Sequence, residues 1–158
     1  MKKNFYSLFL SQAYRDCWDD YNRSLKLNNF PKWDYVILTA SNEQQAEEFR
    51  KQIEERKDFL PSGTKFVAIP DRDGKRVGSG GATLEVLKYL HEQEEAFDKL
   101  RVLVIHSGGD SKRVPQYSAL GKLFSPVPHE LLNGRNSTLF DEFMICMSSV
   151  PSRIREGM

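Results

Sequence analysis

The sequence has few cysteines, no long apolar run and almost no net charge. The two cysteines, Cys17 and Cys146, lie far apart and form neither a disulfide framework nor a metal-ligand motif, so both are predicted to be free thiols. No segment approaches the ~18 apolar residues of a membrane-spanning helix, and polar residues interrupt the apolar ones near the N-terminus. We therefore expect a cytoplasmic protein with no membrane partner.

The charges of the chain nearly cancel. Lys and Arg number 23 against 22 Asp and Glu, which gives a formal net charge of +1. Such a chain has no overall field that would attract nucleic acid, so we expect no nucleic-acid partner. Any site for an anion must be local.

The first 30 residues are predicted to form an N-terminal helical segment. Apolar residues recur there at spacings of three and four, which is typical of a helix packed along one side. That stripe consists of Phe5, Leu8, Phe9, Ala13, Cys17, Tyr21 and Leu25. Pro31 ends the segment, and residues 31–158 are long enough for one domain with its own core.

The middle of the chain alternates strands with helices. Residues 35–40 and 65–69 are predicted strands, and residues 102–105 are an unbroken apolar run typical of a strand covered on both faces. Between the first two, Ser41 and Gln44 form a capping-box pattern that opens a helix. The order βαβαβ predicts an α/β fold of the Rossmann-like kind, with three layers and a mostly parallel sheet.

The last part of the chain is predicted to be a loop followed by a helix. The loop begins after Val127 and contains Pro128 and Gly134. The helix spans about residues 137–147, and Ser137 or Thr138 can cap it. Its expected core face consists of Leu139, Phe140, Phe143, Met144 and Met147.

The strongest functional signal follows the third strand, in residues 101–127. There the predicted buried strand ends in two adjacent glycines, and polar and cationic residues follow them. Glycine lets backbone N–H groups approach phosphate oxygens closely, while Lys and Arg neutralise the phosphate charge. The segment therefore predicts a polyphosphate site formed by Gly108, Gly109, Asp110, Ser111, Lys112, Arg113, Gly121 and Lys122.

Two familiar phosphate motifs do not fit this segment. A P-loop needs Ser or Thr after its Gly-Lys pair, but Leu123 follows Lys122, and Gln116 stands where its first glycine belongs. The dinucleotide fingerprint needs three spaced glycines that enter a helix, whereas Pro115 would interrupt such a helix here.

A second glycine run opens a predicted helix upstream, with Leu84, Leu87 and Leu90 on its core face. The free N–H groups and positive dipole of a helix start suit an anion or a polar ligand. By itself the run fits a flexible connection equally well. It consists of Gly78, Ser79, Gly80 and Gly81, followed by Ala82 and Thr83.

The two glycine motifs together resemble one enzyme family. RVGSGGATLEVL, HSGGDSKRVP and GKLFSPVP occur in this order, and roughly residues 33–128 resemble the fucose-1-phosphate guanylyltransferases, including bifunctional fucokinase/GDP-fucose pyrophosphorylases. The resemblance implies that residues 31–158 are part of a nucleotidyltransferase domain. The implied reaction transfers GMP from GTP to L-fucose 1-phosphate, giving a GDP-sugar and pyrophosphate.

The resemblance also implies roles for individual residues. Residues 78–83 should line the nucleotide pocket. Arg113, with its forked guanidinium, suits the β- and γ-phosphates, and Lys122 suits the α-phosphate or the sugar phosphate. Mg²⁺ is the expected cofactor, with its carboxylate ligands beyond this chain.

At the end of the third strand, His106 is interpreted as a satisfied edge residue rather than a general base.

Members of this family are several hundred residues long, so the chain is expected to be an amino-terminal fragment. A complementary chain or domain is then an expected partner. Two alternatives stay open from the residues: a related enzyme with another base or sugar, and a non-catalytic nucleotide-binding module. Kinase activity is not predicted, because the sequence has no kinase glycine-serine motif.

Overall fold

The computed structural model describes residues 5–72, 77–93, 99–107, 117 and 121–154. Within these residues it contains five α-helices, five strands and short 3₁₀ turns. In chain order the helices and strands are α1 (Phe5–Lys26), β1 (Tyr35–Ala40), α2 (Glu43–Glu54), β2 (Lys65–Pro70), α3 (Gly78–Gln93), β3 (Val102–His106), β4 (Pro126–Glu130), β5 (Asn136–Thr138), α4 (Leu139–Met147) and α5 (Val150–Arg153).

β1 is the centre of a parallel three-stranded sheet with the order β2-β1-β3. Tyr35 pairs with Lys65 on one side and with Val102 on the other. Every residue of β1 is buried, as expected for a central strand covered on both faces. The predicted βαβαβ order and parallel sheet are confirmed.

Helices cover both faces of this sheet. Side chains of β1 alternate between the faces: Val36 and Leu38 lie in one core cluster with Phe49 of α2, and Ile37 lies in another with Val86 of α3. The predicted three-layer α/β arrangement is therefore confirmed. The cluster on the α2 face also contains Phe140 and Met144 of α4 and, from the 3₁₀ turn at Lys122–Phe124, Leu123 and Phe124.

The predicted cap of α2 is wrong by one residue. Asn42, rather than Ser41, is the N-cap, and its side chain accepts a hydrogen bond from the backbone N–H of Gln45. The Gln45 side chain in turn accepts from the N–H of Ser41 at 2.8 Å. The Gln45 side chain thus bonds to the residue before the N-cap rather than to the N-cap itself, and Asn caps this helix as well as Ser would.

The predicted core face of α3 is partly wrong. Leu84 and Leu87 are exposed, whereas Ala82, Val86 and Leu90 are buried. Spacings of four residues place these three side chains in one row along the helix. The smaller residues face the sheet and allow the helix to approach it closely.

The same kind of error occurs in α4. Leu139 and Phe143 are exposed, while Phe140, Met144 and Ile145 are buried. The predicted cap is confirmed at Thr138, which forms a capping box with Asp141.

The loop predicted after Val127 is instead an antiparallel hairpin of β4 and β5. Pro128 favoured a loop, but it lies where the register of the hairpin shifts, between Val127 and Glu130, and so interrupts no regular pairing. Gly134 lies in its turn with φ of 79°, a backbone conformation that suits glycine.

α1 packs against the rest of the fold from Tyr14 onward. Trp18 and Tyr21 form a core cluster with Leu131 and Ile145, and Arg153 pairs with Asp20 at 2.9 Å. In the first turns of the helix the predicted apolar stripe is exposed, with Phe5, Leu8 and Phe9 at 83%, 69% and 64%. No helix in the described ranges is long and apolar enough to cross a membrane.

Candidate functional site

The carboxyl ends of the three parallel strands form one edge of the sheet, and hydrogen bonds tie this edge together. Beyond β3, the Ser107 hydroxyl donates to the backbone carbonyl of Thr39 at 2.8 Å. Beyond β2, the N–H of Asp71 donates to the carbonyl of Ala40 at 2.7 Å. Ligand sites of open parallel sheets lie at this edge, where loops and helix starts converge.

Residues 78–83, here called the glycine turn, form the first turns of α3. Gly78 has φ of 70°, and a Cβ at Gly78 or Gly80 would meet nothing within 4 Å. The two glycines are exposed, so their backbone is open to solvent and to a ligand. At Gly81 the reason for glycine is different, since a Cβ there would lie 2.5 Å from Cβ of Val77.

His106 joins the glycine turn to the sheet. Its Nδ1 lies 3.4 Å from the Thr39 hydroxyl in β1, and its Nε2 lies 3.3 Å from the Thr83 hydroxyl in α3. The Thr83 hydroxyl also donates to the carbonyl of Ser79 at 2.9 Å. The interpretation of His106 as a satisfied edge residue agrees with these contacts, but sequence reasoning missed Thr39 and the link to Thr83.

Gly121 lies on the opposite face of the sheet, against α2. It has φ of 71°, and a Cβ there would lie 3.0 Å from Cζ of Phe49 and 3.3 Å from Nε2 of Gln45. The side chain of Lys122 is exposed. Gln45 also accepts a hydrogen bond from the N–H of Ser41, the residue that follows β1. Gly121 therefore lies near the carboxyl end of β1, with Gln45 between them.

Of the polar segment after β3, the structure describes mainly the two flanks. Its predicted site residues, Gly108, Gly109, Asp110, Ser111, Lys112 and Arg113, lie outside them. The flanks are placed: Ser107 is bonded to β1, and Gly121 packs on α2. Both ends of the segment therefore start from the edge that carries the glycine turn.

The described residues do not form a metal site by themselves. Across the described ranges no group of three or more His, Cys, Asp or Glu side chains could hold a metal ion. The described residues therefore offer no ligand set of their own for the Mg²⁺ that the resemblance implies.

A cavity of about 560 Å³ lies at the other edge of the sheet, before the strands begin. Its lining includes Lys32, Trp33, Asp34, Ser62 and Arg101. Part of its polar surface is already paired, because the Arg101 N–H donates to Asp34 at 2.7 Å and the Lys32 ammonium donates to the carbonyl of Ser62 at 3.2 Å. We assign the functional site to the carboxyl edge, where the sheet topology and the glycine backbone coincide.

These features define a class: an open parallel α/β fold with glycine backbone at the ligand-binding edge of its sheet. Comparison with known proteins narrows this class. Residues 94–158 match the family model of the fucose pyrophosphorylase domain. No solved structure matches the chain.

Three relatives carry names that agree with this domain. A bifunctional fucokinase/GDP-fucose pyrophosphorylase of Arabidopsis thaliana is 35% identical over 144 residues, covering 76% of this chain and 14% of the relative. A fucose-1-phosphate guanylyltransferase of Mus musculus is 41% identical over 99 residues, which cover 61% of this chain and 17% of the relative. An L-fucokinase/L-fucose-1-P guanylyltransferase of Bacteroides fragilis is 33% identical over 72 residues, which cover 41% of this chain and 8% of the relative.

The predicted family resemblance is thereby confirmed over part of the chain, by the match of residues 94–158 to the domain model and by the names of the relatives. The chain spans 14% of the plant relative and 17% of the mouse relative. It is thus similar to a small part of each enzyme.

Proposed function

We propose that this chain forms the nucleotide-binding part of a fucose-1-phosphate guanylyltransferase. The observation that carries the proposal is the position of the glycine turn: it begins α3 at the carboxyl edge of the sheet, where β3 ends and Ser107 is bonded to β1. The names of the relatives favour guanylyl transfer to fucose 1-phosphate over another base or sugar.

The proposed reaction transfers GMP from GTP to L-fucose 1-phosphate. A phosphate oxygen of the sugar bonds to the α-phosphorus of GTP, the bond from that phosphorus to the bridging oxygen breaks, and pyrophosphate leaves with the electron pair. Both substrates are anions, so the protein must mainly hold them together and offset their charge. Little covalent chemistry is required of its side chains.

The residues of this chain divide the task. The backbone of the glycine turn and of Gly108 and Gly109 would line the nucleotide phosphates, with Asp110, Ser111 and Lys112 beside them. Arg113 would contact the β- and γ-phosphates that leave, and Lys122 the α-phosphate or the sugar phosphate. Mg²⁺ would help to neutralise the phosphate charge, with its carboxylate ligands supplied from beyond this chain.

The proposed partners are GTP, L-fucose 1-phosphate and the remainder of a guanylyltransferase, as a further domain or a complementary chain. The exposed apolar side chains of Phe5, Leu8 and Phe9 support such an association, because neighbouring apolar side chains at this exposure mark interaction surfaces. A nucleoside triphosphate substrate and free thiols at Cys17 and Cys146 support a cytoplasmic location.

Calorimetric titration of the chain with GTP, ATP and UTP in the presence of Mg²⁺ tests the proposal. We expect saturable binding that prefers GTP and weakens roughly 30-fold, about 2 kcal/mol, in Lys122→Ala, because a charge-assisted phosphate contact is lost. Lys26→Ala, in the last turn of α1, is the matched control and should bind like the wild type. Equal affinity of both variants would refute the role of Lys122, and no binding of any nucleotide by the folded chain would refute the function.

A further inference from the structure

His106 stands at the junction of three elements. It is the last residue of β3, and its ring lies within hydrogen-bond reach of Thr39 in β1 and of Thr83 in α3. Thr39 follows Ile37 on the α3 face of the sheet, which is the face that the glycine turn approaches. The imidazole therefore bridges the sheet edge and the start of α3.

The hydrogen bonds around this ring have only one consistent direction for a neutral imidazole. The Thr83 hydroxyl donates its single proton to the carbonyl of Ser79, so toward His106 it can only accept. His106 must then carry its proton on Nε2 and accept on Nδ1, where the Thr39 hydroxyl donates. The chain of bonds runs from Thr39 through His106 and Thr83 to the backbone of Ser79.

We propose that His106 is a positioning residue for the nucleotide, which holds the glycine turn against the carboxyl edge of the sheet. The turn needs such a link because three of its residues are glycines, which have the greatest conformational freedom to lose in a helix. Fixing Thr83 and the Ser79 carbonyl orients the neighbouring N–H groups. The nucleotide part of this inference rests on the proposed function.

The chemistry of the reaction gives His106 no proton to remove. The attacking phosphate oxygen of a sugar 1-phosphate is already anionic near neutral pH, so the displacement requires no general base. His106 acts through Thr83 and the backbone of the glycine turn rather than on the reacting atoms.

Conservative variants separate positioning from general stability. Gln at position 106 places an amide nitrogen near the position of Nε2 and keeps the bond to Thr83, whereas Asn is shorter and reaches only toward Thr39. We expect His106→Ala and His106→Asn to weaken GTP binding about 10-fold, and His106→Gln to recover most of the loss. Thr83→Val should weaken binding similarly and add little to His106→Ala, because both break the same chain.

Amide hydrogen exchange supplies a readout that needs no nucleotide. In the first two turns of α3 we expect exchange to quicken about 10-fold in His106→Ala and to return toward the wild-type rate in His106→Gln. His91→Gln, in the last turn of the same helix, is the control and should leave these amides unchanged.

The two readouts distinguish the inference from the function on which it rests. Unchanged exchange in His106→Ala would overturn the inference whether or not the chain binds GTP. Wild-type GTP affinity in His106→Ala, in a chain that binds GTP, would overturn it as well. If exchange responds as expected but the wild type binds no nucleotide, the proposed function fails and the link between His106 and the glycine turn stands.

Discussion

Tyr21 shows how one side chain can make stability depend on pH. It is buried, its hydroxyl donates to the carbonyl of Phe59, and burial raises its pKa from 10.0 to about 12 despite the opposing charge of Arg135. Above pH 10 the unfolded chain loses this proton while the folded chain keeps it. The contribution of Tyr21 is therefore complete below pH 10 and is lost as the pH rises toward 12.

We expect Tyr21→Phe to lower the free energy of unfolding by about 1 kcal/mol at pH 8, because the Phe59 carbonyl loses its donor. The gap between wild type and variant should narrow above pH 10, since only the wild type loses the Tyr21 contribution there. Urea unfolding of both proteins between pH 8 and 11 measures this difference. Parallel curves across that range would contradict the shift in pKa.

Gly121 is predicted to be structural as well as part of the site. Its φ of 71° is unfavourable for other residues, and a Cβ there would make a tight contact with the Phe49 ring, at 3.0 Å from Cζ. We expect Gly121→Ala to destabilise the fold by about 1 to 3 kcal/mol, measured by urea unfolding. Gly63→Ala is a useful comparison, because Gly63 has φ of 86° but a Cβ there meets nothing within 4 Å. An equal loss in both variants would show that the contact with Phe49 adds nothing.

At the scale of elements, Asp141 connects α4, the hairpin and the start of the 3₁₀ turn at Lys57–Phe59. Its carboxylate accepts from the backbone and hydroxyl of Thr138, at 3.0 and 2.7 Å, and lies 3.3 Å from Nε of Arg56 and 3.8 Å from Arg135. The Arg56 Nε–H has no acceptor in hydrogen-bond geometry among the described residues, so this contact is an ion pair only. Arg56 also stacks over Phe124 at 5.2 Å.

We expect Asp141→Asn to destabilise the protein by about 3 kcal/mol, because it leaves the buried Arg56 cation without its anion. Asp58→Asn, at an exposed position in the 3₁₀ turn at Lys57–Phe59, is the control and should change stability by less than about 0.5 kcal/mol. Thermal and urea unfolding measure both. A loss of stability of the same size in the two variants would show that the ion pair does not stabilise the fold.

The elements also show what could be predicted from sequence. Strands such as β1 were predictable because a short, mostly apolar segment that alternates with helical patterns is typical of a strand in a parallel sheet. The faces of α3 and α4 were not, because Leu84 and Phe143 are more apolar than the Ala82 that the sheet accommodates. The choice of buried face depends on the space beside the sheet, which no local pattern contains.

The candidate site shows the same division between local and long-range information. The start of α3 at the glycine turn was predictable from its residues, whereas its role in nucleotide binding rests on the family resemblance and stays a prediction. The contacts of His106 with Thr39 and Thr83 join residues 67 and 23 positions apart. Such a link depends on strand register and helix packing, which the spacing of motifs does not reveal.

At the scale of the whole molecule, the two edges of the sheet offer alternative places for a ligand. The carboxyl edge has the glycine turn and Lys122, and the opposite edge has the cavity beside Lys32 and Arg101. Both edges carry cations, so affinity alone does not distinguish them. The proposed function requires the nucleotide to bind at the carboxyl edge.

Amide chemical-shift mapping of the isotope-labelled chain with GTP and Mg²⁺ tests this requirement most directly. We predict that the largest changes occur in the glycine turn, at His106 and at Gly121 and Lys122, with little change at Arg101. Changes centred on Arg101 and the opposite cavity, or no saturable change anywhere in a folded chain, would contradict the assignment of the site and of the function built on it.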